Sequence, residues 1–154
     1  MNKAPRVFLD TDVILDFVLR RKPFFPASAQ LFQAGTEGKL VLLASAAAMK
    51  DVFYFARKAT KEEAAKGKAE GNEKRGREVV RLLMEVLEPC MLDGAMWKEA
   101  LASPLRDTED ALQVACALRH KADFLVTRNV ADYGSATLPQ VLLPELLLAL
   151  LDRR

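Results

Sequence analysis

"VFLDTDVILD", residues 7–16, runs three apolar residues into an aspartate and places two more aspartates within the next six positions. Val7, Phe8 and Leu9 form an unbroken apolar run, the mark of a short strand buried on both faces. From Thr11 onward the spacing changes. Val13, Leu15 and Phe17, mixed with Ile14 and Val18, read as a helix. Asp10 therefore falls at the carboxyl end of a buried strand.

The same alternation continues outward. "ASAQLFQAGTEGK" (27–39) reads as a helix ended by Gly35 or Gly38, and "LVLLAS" (40–45) as a strand. "AAMKDVFYFARKA" (47–59) is a helix carrying Asp51. The charged stretch 58–77 reads as an exposed helix end and loop, or as an arm that touches RNA or a partner. "EVVRLLMEVLE" (78–88) returns to helix, "PCMLD" (89–93) to strand and "GAMWKEALAS" (94–103) to a short helix. "DTEDALQVACALRHK" (107–121) is the best-defined helix. "ADFLVTRN" (122–129) and "QVLLP" (140–144) are strands, and "ELLLALLDRR" (145–154) is a closing helix. Apolar strands alternating with helices imply a parallel sheet covered on both faces, an α/β fold in one domain spanning 1–154. Ligands of such sheets sit beyond the carboxyl ends of the strands, which is where Asp10 lies.

Composition narrows the chemistry. Aromatics are only 7% of the 154 residues, so the core should be built of Leu, Val and Ala. A net charge of +2 permits a nucleic-acid partner without requiring one. The single histidine, His120, excludes Ser-His-Asp triads and His-rich zinc sites. Cys90 and Cys116 are far apart and match no metal-ligand spacing, so they read as two buried, reduced thiols, and any metal would be held by oxygen. An acid-bearing segment precedes any long apolar run, and Pro144 breaks the apolar tail, so a cytoplasmic protein without a membrane span is expected.

The acidic residues converge by topology. Asp107 reads as the N-cap of its helix. Asp110 tops an apolar stripe through Val114 and Ala117, and a charge at a sheet-facing helix start needs compensation. Asp51, among Val52, Phe53, Tyr54 and Phe55, should also point toward the strand ends. Asn129 and Asp132 follow a further strand, and Thr127 at that strand's end can hold a ligand or water. The economical compensator for such oxygen donors is Mg²⁺ or Mn²⁺, and such a site suits phosphodiester hydrolysis. Asp16 reads as a solvent-facing helix residue.

"FLDTDVILD", "KDVFYFARK", "DTEDALQVACAL" and "ADFLVTRNVADY" resemble, in order and spacing, the PIN domain, and most of all its small prokaryotic members, the VapC-type toxins. The resemblance covers about residues 6 to 150. It implies a three-layer α/β/α sandwich with a central parallel sheet and a Mg²⁺/Mn²⁺-dependent ribonuclease site. It makes Asp10 and Asp110 metal ligands. Asp51 stands where most members carry glutamate, so its contact with the metal can run through water. Asn129 stands where many carry aspartate, with Asp132 three residues on as a possible compensator, and Asp12 matches a position near the site. The resemblance also implies an RNA substrate, a homodimer and a small antitoxin that covers the crevice. Phe24 and Phe25, two rings between prolines, add support for a sticky surface. Two other readings stand beside it. A PIN-like module could bind RNA or protein without cutting. Alternatively, "DTDVI" could belong to a haloacid dehalogenase-type phosphatase, with Asp10 as nucleophile and Asp12 as acid/base.

Overall fold

The computed structural model describes residues 3–58, 60–67, 71–134 and 139–153. Five short strands alternate with helices. In chain order these are β1 (Arg6–Leu9), α1 (Thr11–Val18), α2 (Phe25–Thr36), β2 (Val41–Ser45), α3 (Ala46–Arg57), α4 (Lys61–Ala65), α5 (Glu73–Leu83), β3 (Leu87–Cys90), α6 (Gly94–Leu101), α7 (Thr108–Arg119), β4 (Phe124–Val126), a 3₁₀ turn (Val130–Tyr133), β5 (Gln140–Leu142) and α8 (Pro144–Leu151). All strand pairs are parallel, in the order β3-β2-β1-β4-β5. Consecutive strands step outward from β1 to β3. The chain then returns to lay β4 on the other side of β1. That reversal puts the crevice of an open parallel sheet at the carboxyl end of β1, directly at Asp10.

Side-chain alternation along each strand separates two cores. Val7, Leu9, Leu42, Ala44, Val126 and Leu142 face one side and pack against α1, α2, α3, α5 and α8. Phe8, Leu43 and Leu125 face the other and pack against α6, α7 and Tyr133. The period of two on strands buried from both sides is what makes the sandwich three layers deep. At Gly35 on α2, an added Cβ would stand 2.6 Å from Leu42 Cδ1, so the close approach of helix and sheet needs glycine there. Gly38, at φ +72°, makes the turn after α2 in the left-handed region.

Several expectations need correction. Asp16 does not face solvent. It is 1% exposed, with Oδ2 at 2.8 Å from Arg128 Nε. A helix residue two turns past the strand can turn inward because Arg128, just after β4, brings a cation to it. Phe24 and Phe25 are packed rings: the Arg128 guanidinium lies 4.1 Å over Phe24, and Phe25 stacks on Phe17. Both rings stay half-buried, so each keeps part of its face open. The charged stretch holds α4 and the start of α5. Thr60 and Glu63 form a reciprocal cap, and Arg75 ties them to the Ala56 and Lys58 carbonyls, each at 2.7 Å. Ala59 and residues 68–70 of this stretch lie outside the described residues. The helix expected over 78–88 starts at Glu73 and stops at Leu83, because Leu87 and Glu88 pair with β2 as β3. Cys90 and Cys116 are buried and not disulfide-bonded, as expected, but they are not apart: the Cys116 thiol points at the Cys90 carbonyl, 4.0 Å away. Among the described residues, no helix is long and apolar enough to cross a membrane.

Candidate active site

Asp10 occupies the N-cap position of α1, yet its carboxylate caps nothing. It turns inward instead. Its Oδ2 accepts from Thr127 Oγ1 at 2.8 Å and from Tyr133 OH at 3.3 Å, and Oδ1 accepts from Gln113 Nε2 at 3.2 Å. These donors come from the end of β4, the 3₁₀ turn and α7. Asp10 is 8% exposed, and burial pushes its carboxyl above the ordinary range, against the pull of the Thr127 and Gln113 bonds.

α7 supplies the second wall. Asp107 caps it, accepting from the backbone N–H groups of Glu109 and Asp110, as its position implies. Capping fixes the first turn, so Glu109 and Asp110 project from a rigid helix start. Asp110 Oδ1 lies 3.1 Å from the same Tyr133 hydroxyl that reaches Asp10. One phenolic proton cannot serve two carboxylates fully at once, so the arrangement favours one shared proton more. Burial, followed by the neighbouring Asp107, Asp10 and Asp132, lifts the Asp110 carboxyl to about 6 despite the Tyr133 bond. Glu109 is raised as well, first by burial and then by the acids around it. Burial and the two carboxylates push the Tyr133 phenol up too, so it remains a proton donor.

Asp10, Asp12, Asp51, Glu109, Asp110 and Asn129 line one cleft of about 240 Å³ with Thr11, Leu15, Phe55 and Gln113. Among the described residues, five carboxylates and no lysine or arginine line it. Asp51 reaches it from the second turn of α3, a helix positioned by the Ser45 cap at the end of β2. Of the residues expected from sequence, Asp10, Asp51, Asp110 and Asn129 meet here, with Asp12 beside them. Asp132 does not line the cleft. It sits on the 3₁₀ turn and acts on Asp110 through charge alone.

Oxygen-only donors facing one another without a basic side chain fit a hard divalent cation. The fit is open rather than closed. A Mg²⁺ ion at about 2.1 Å from each ligand holds any two ligand oxygens within about 4.2 Å. Among the described residues, no three acidic side chains bring ligand oxygens within 4.8 Å of one another. Direct ligation thus suits a subset of these carboxylates, with the remainder reaching through water.

Sequence reading missed Glu109, Gln113 and Tyr133. Gln113 carried a signal: it is a polar residue on a buried helix face, one turn from Asp110. Tyr133 carried none, since only the return of the chain after β4 brings its hydroxyl to Asp10.

A PIN domain family model matches residues 6–131. The chain belongs to the PIN domain family. Its fold is shared with chains of solved toxin–antitoxin structures. VapBC-1 from nontypeable Haemophilus influenzae superposes with a TM-score of 0.60 at 15% identity, covering 91% of this chain and 98% of that one. A toxin–antitoxin complex from Klebsiella pneumoniae gives 0.58 at 20% identity, covering 90% and 97%. VapBC2 from Rickettsia felis, bound to a DNA fragment from its promoter, gives 0.58 at 13% identity, covering 89% and 97%. No curated protein matches the sequence.

Proposed function

We propose that this PIN domain is a Mg²⁺- or Mn²⁺-dependent endoribonuclease, the toxin of a toxin–antitoxin pair, acting in the cytoplasm as one domain. The observation that carries the proposal is the cleft at the sheet's switch point, walled by five carboxylates and, among the described residues, no basic side chain. When bound, the cation supplies Lewis acidity to a phosphodiester and lowers the pKa of a water. Asp10 and Asp110 would be direct ligands, and Asp51 a ligand through water or an orienter of the attacking water. Glu109 adds a further carboxylate at the rim, and Asn129 a neutral oxygen. Thr127 and Gln113 hold the Asp10 carboxylate in one orientation, and Tyr133 fixes its spacing from Asp110. In-line attack by water leaves a 5′-phosphate and a 3′-hydroxyl.

The toxin–antitoxin structures with the same fold support a protein inhibitor as partner, one that would cover this acidic cleft in a homodimeric toxin. The phosphatase reading finds no support here, because among the described residues no lysine of the kind such enzymes need lines the cleft. The test is cleavage of a fluorogenic single-stranded RNA. Activity should appear with Mn²⁺ or Mg²⁺, vanish in EDTA, vanish in Asp10→Asn and Asp110→Asn, and weaken in Asp51→Asn. Full activity in EDTA or in Asp10→Asn would falsify the proposal. Tight RNA binding without cleavage in Mn²⁺ would replace it with the binding-module reading.

A further inference from the structure

Away from the acidic cleft, the fold gathers three soft ligands. Cys116 and His120 stand four residues apart at the carboxyl end of α7, on one face of that helix. Cys90 ends β3, on the edge strand beside them. The two Sγ atoms and an imidazole nitrogen of His120 all lie within 4.8 Å of one another. Both thiols are fully enclosed and free of a disulfide, while the half-buried imidazole gives the cluster its opening to solvent. His120 Nε2 lies 3.3 Å from the Met91 carbonyl, which can only accept, so a proton on Nε2 would leave the Nδ1 lone pair free for a metal. A carbonyl that orients an imidazole in this way is the usual support of a metal-ligating histidine.

We propose that Cys90, Cys116 and His120 form a binding site for a thiophilic dication of the Zn²⁺ class, with water as fourth ligand. Tetrahedral zinc, with bonds of about 2.3 Å to sulfur and about 2.0 Å to nitrogen, sets ligand atoms roughly 3.5–3.8 Å apart. The three side chains need to close by at most about 1.3 Å to meet that geometry. Two thiolates neutralise the dication, so the buried assembly carries no net charge, and both thiol protons leave to solvent. This site is distinct from the acidic cleft in chemistry and in place. Its ligands are sulfur and nitrogen, and His120 lies about 15 Å along α7 from Asp110, at about 1.5 Å per residue. An ion here would fasten the edge strand β3 to the helix whose other end carries Glu109 and Asp110.

The test is a Co²⁺ titration of the full chain, reduced, stripped with EDTA and desalted under anaerobic conditions. One equivalent of Co²⁺ should give a thiolate-to-metal charge-transfer absorption, and one equivalent of Zn²⁺ should abolish it. Cys116→Ser should lose most of the band. His120→Gln, at a half-buried helix end, should keep the wild-type circular dichroism spectrum, bind Co²⁺ at least tenfold more weakly and lose the Zn²⁺-induced rise in Tm. Asp10→Asn should leave the band unchanged, which separates this site from the acidic one whatever the fate of the nuclease reading. Absence of the band in reduced wild type overturns the proposal. So does a band that survives intact in both Cys116→Ser and His120→Gln.

Discussion

Replacing Asp110 by asparagine should stabilise the cation-free protein at neutral pH. In the folded chain its carboxyl is pushed from 3.8 to about 6, first by burial and then by the acids around it. The folded state therefore holds this proton more tightly than the unfolded one. Below pH 3.8 both states are protonated and the residue makes no difference to stability. Between about 4 and 6 the unfolded chain ionises first, so stability falls as pH rises. Above 6 the fold carries the charge at its full cost. The gap from 3.8 to about 6 sets a ceiling of about 3 kcal/mol, at about 1.4 kcal/mol per pH unit. Asp110 is partly exposed, and solvent screening reduces this to about 1–2 kcal/mol. Asparagine keeps an acceptor for the Tyr133 hydroxyl, so little is lost in return. At roughly 2–4 °C per kcal/mol for a chain of this size, Tm should rise by about 2–8 °C. Thermal melts in EDTA at pH 7.5 and pH 4 provide the check. The gain should be present at pH 7.5 and close to nil at pH 4. A variant that melts at or below wild type at pH 7.5, or a gain independent of pH, refutes the reasoning. The same substitution at Asp10 should behave differently, although sequence alone groups the two. Both oxygens of Asp10 accept from N–H or O–H donors, so an amide nitrogen would face one of them. Asp10→Asn should melt below Asp110→Asn.

Two further predictions concern the residues around the cleft. Arg128→Ala should cost about 3 kcal/mol in urea unfolding, the low end for a broken buried pair, because it leaves buried Asp16 with only Arg21 at 3.9 Å and strips the cation from Phe24; a loss below about 1 kcal/mol would show the pair to be unimportant. Tyr133→Phe should cost about 1 kcal/mol of stability and move the Asp110 carboxyl above about 6, since the lost hydroxyl is the contact that lowers it; carboxyl-carbon NMR titration reads this directly, and an unchanged or lower value contradicts the assignment.

Much of the fold was legible because strand and helix periods are local. Val7-Phe8-Leu9 and "FLV" at 124–126 announce strands buried on both faces, and the changes of period beside them mark where helices begin. Asp10, Asp51, Asp110 and Asn129 were legible as a group because a parallel sheet brings every strand's carboxyl end to one edge. What sequence could not give depends on long-range partners. Asp16 looked solvent-facing because its close cation, Arg128, is 112 residues away, while Arg21, five residues on, reaches it only at 3.9 Å. Tyr133, more than 120 residues from Asp10, has no local signal at all. The cysteines looked unrelated because 26 residues separate them, and only the packing of α7 on β3 closes that distance.

The two buried carboxylates of the opening segment explain each other. Asp10 and Asp16 lie on either side of α1's first turns, and both are almost fully enclosed. For Asp16 the fold supplies Arg128 at 2.8 Å and Arg21 at 3.9 Å. For Asp10 it supplies only neutral donors, and the carboxylates around it add repulsion rather than relief. Neutral hydrogen bonds orient a carboxylate but leave its charge in place, and a buried charge left that way costs several kcal/mol. The chain plainly has arginines to spend on such positions, since it places one at Asp16 from the residue next to Asn129. Among the described residues no basic side chain lines the cleft, and Arg21 approaches only Asp12 at its edge, at 3.9 Å. An acidic site whose innermost carboxylate meets only neutral donors gains most when a small cation enters it, which is why metal-linked stabilisation and catalysis should disappear together in Asp10→Asn and Asp110→Asn.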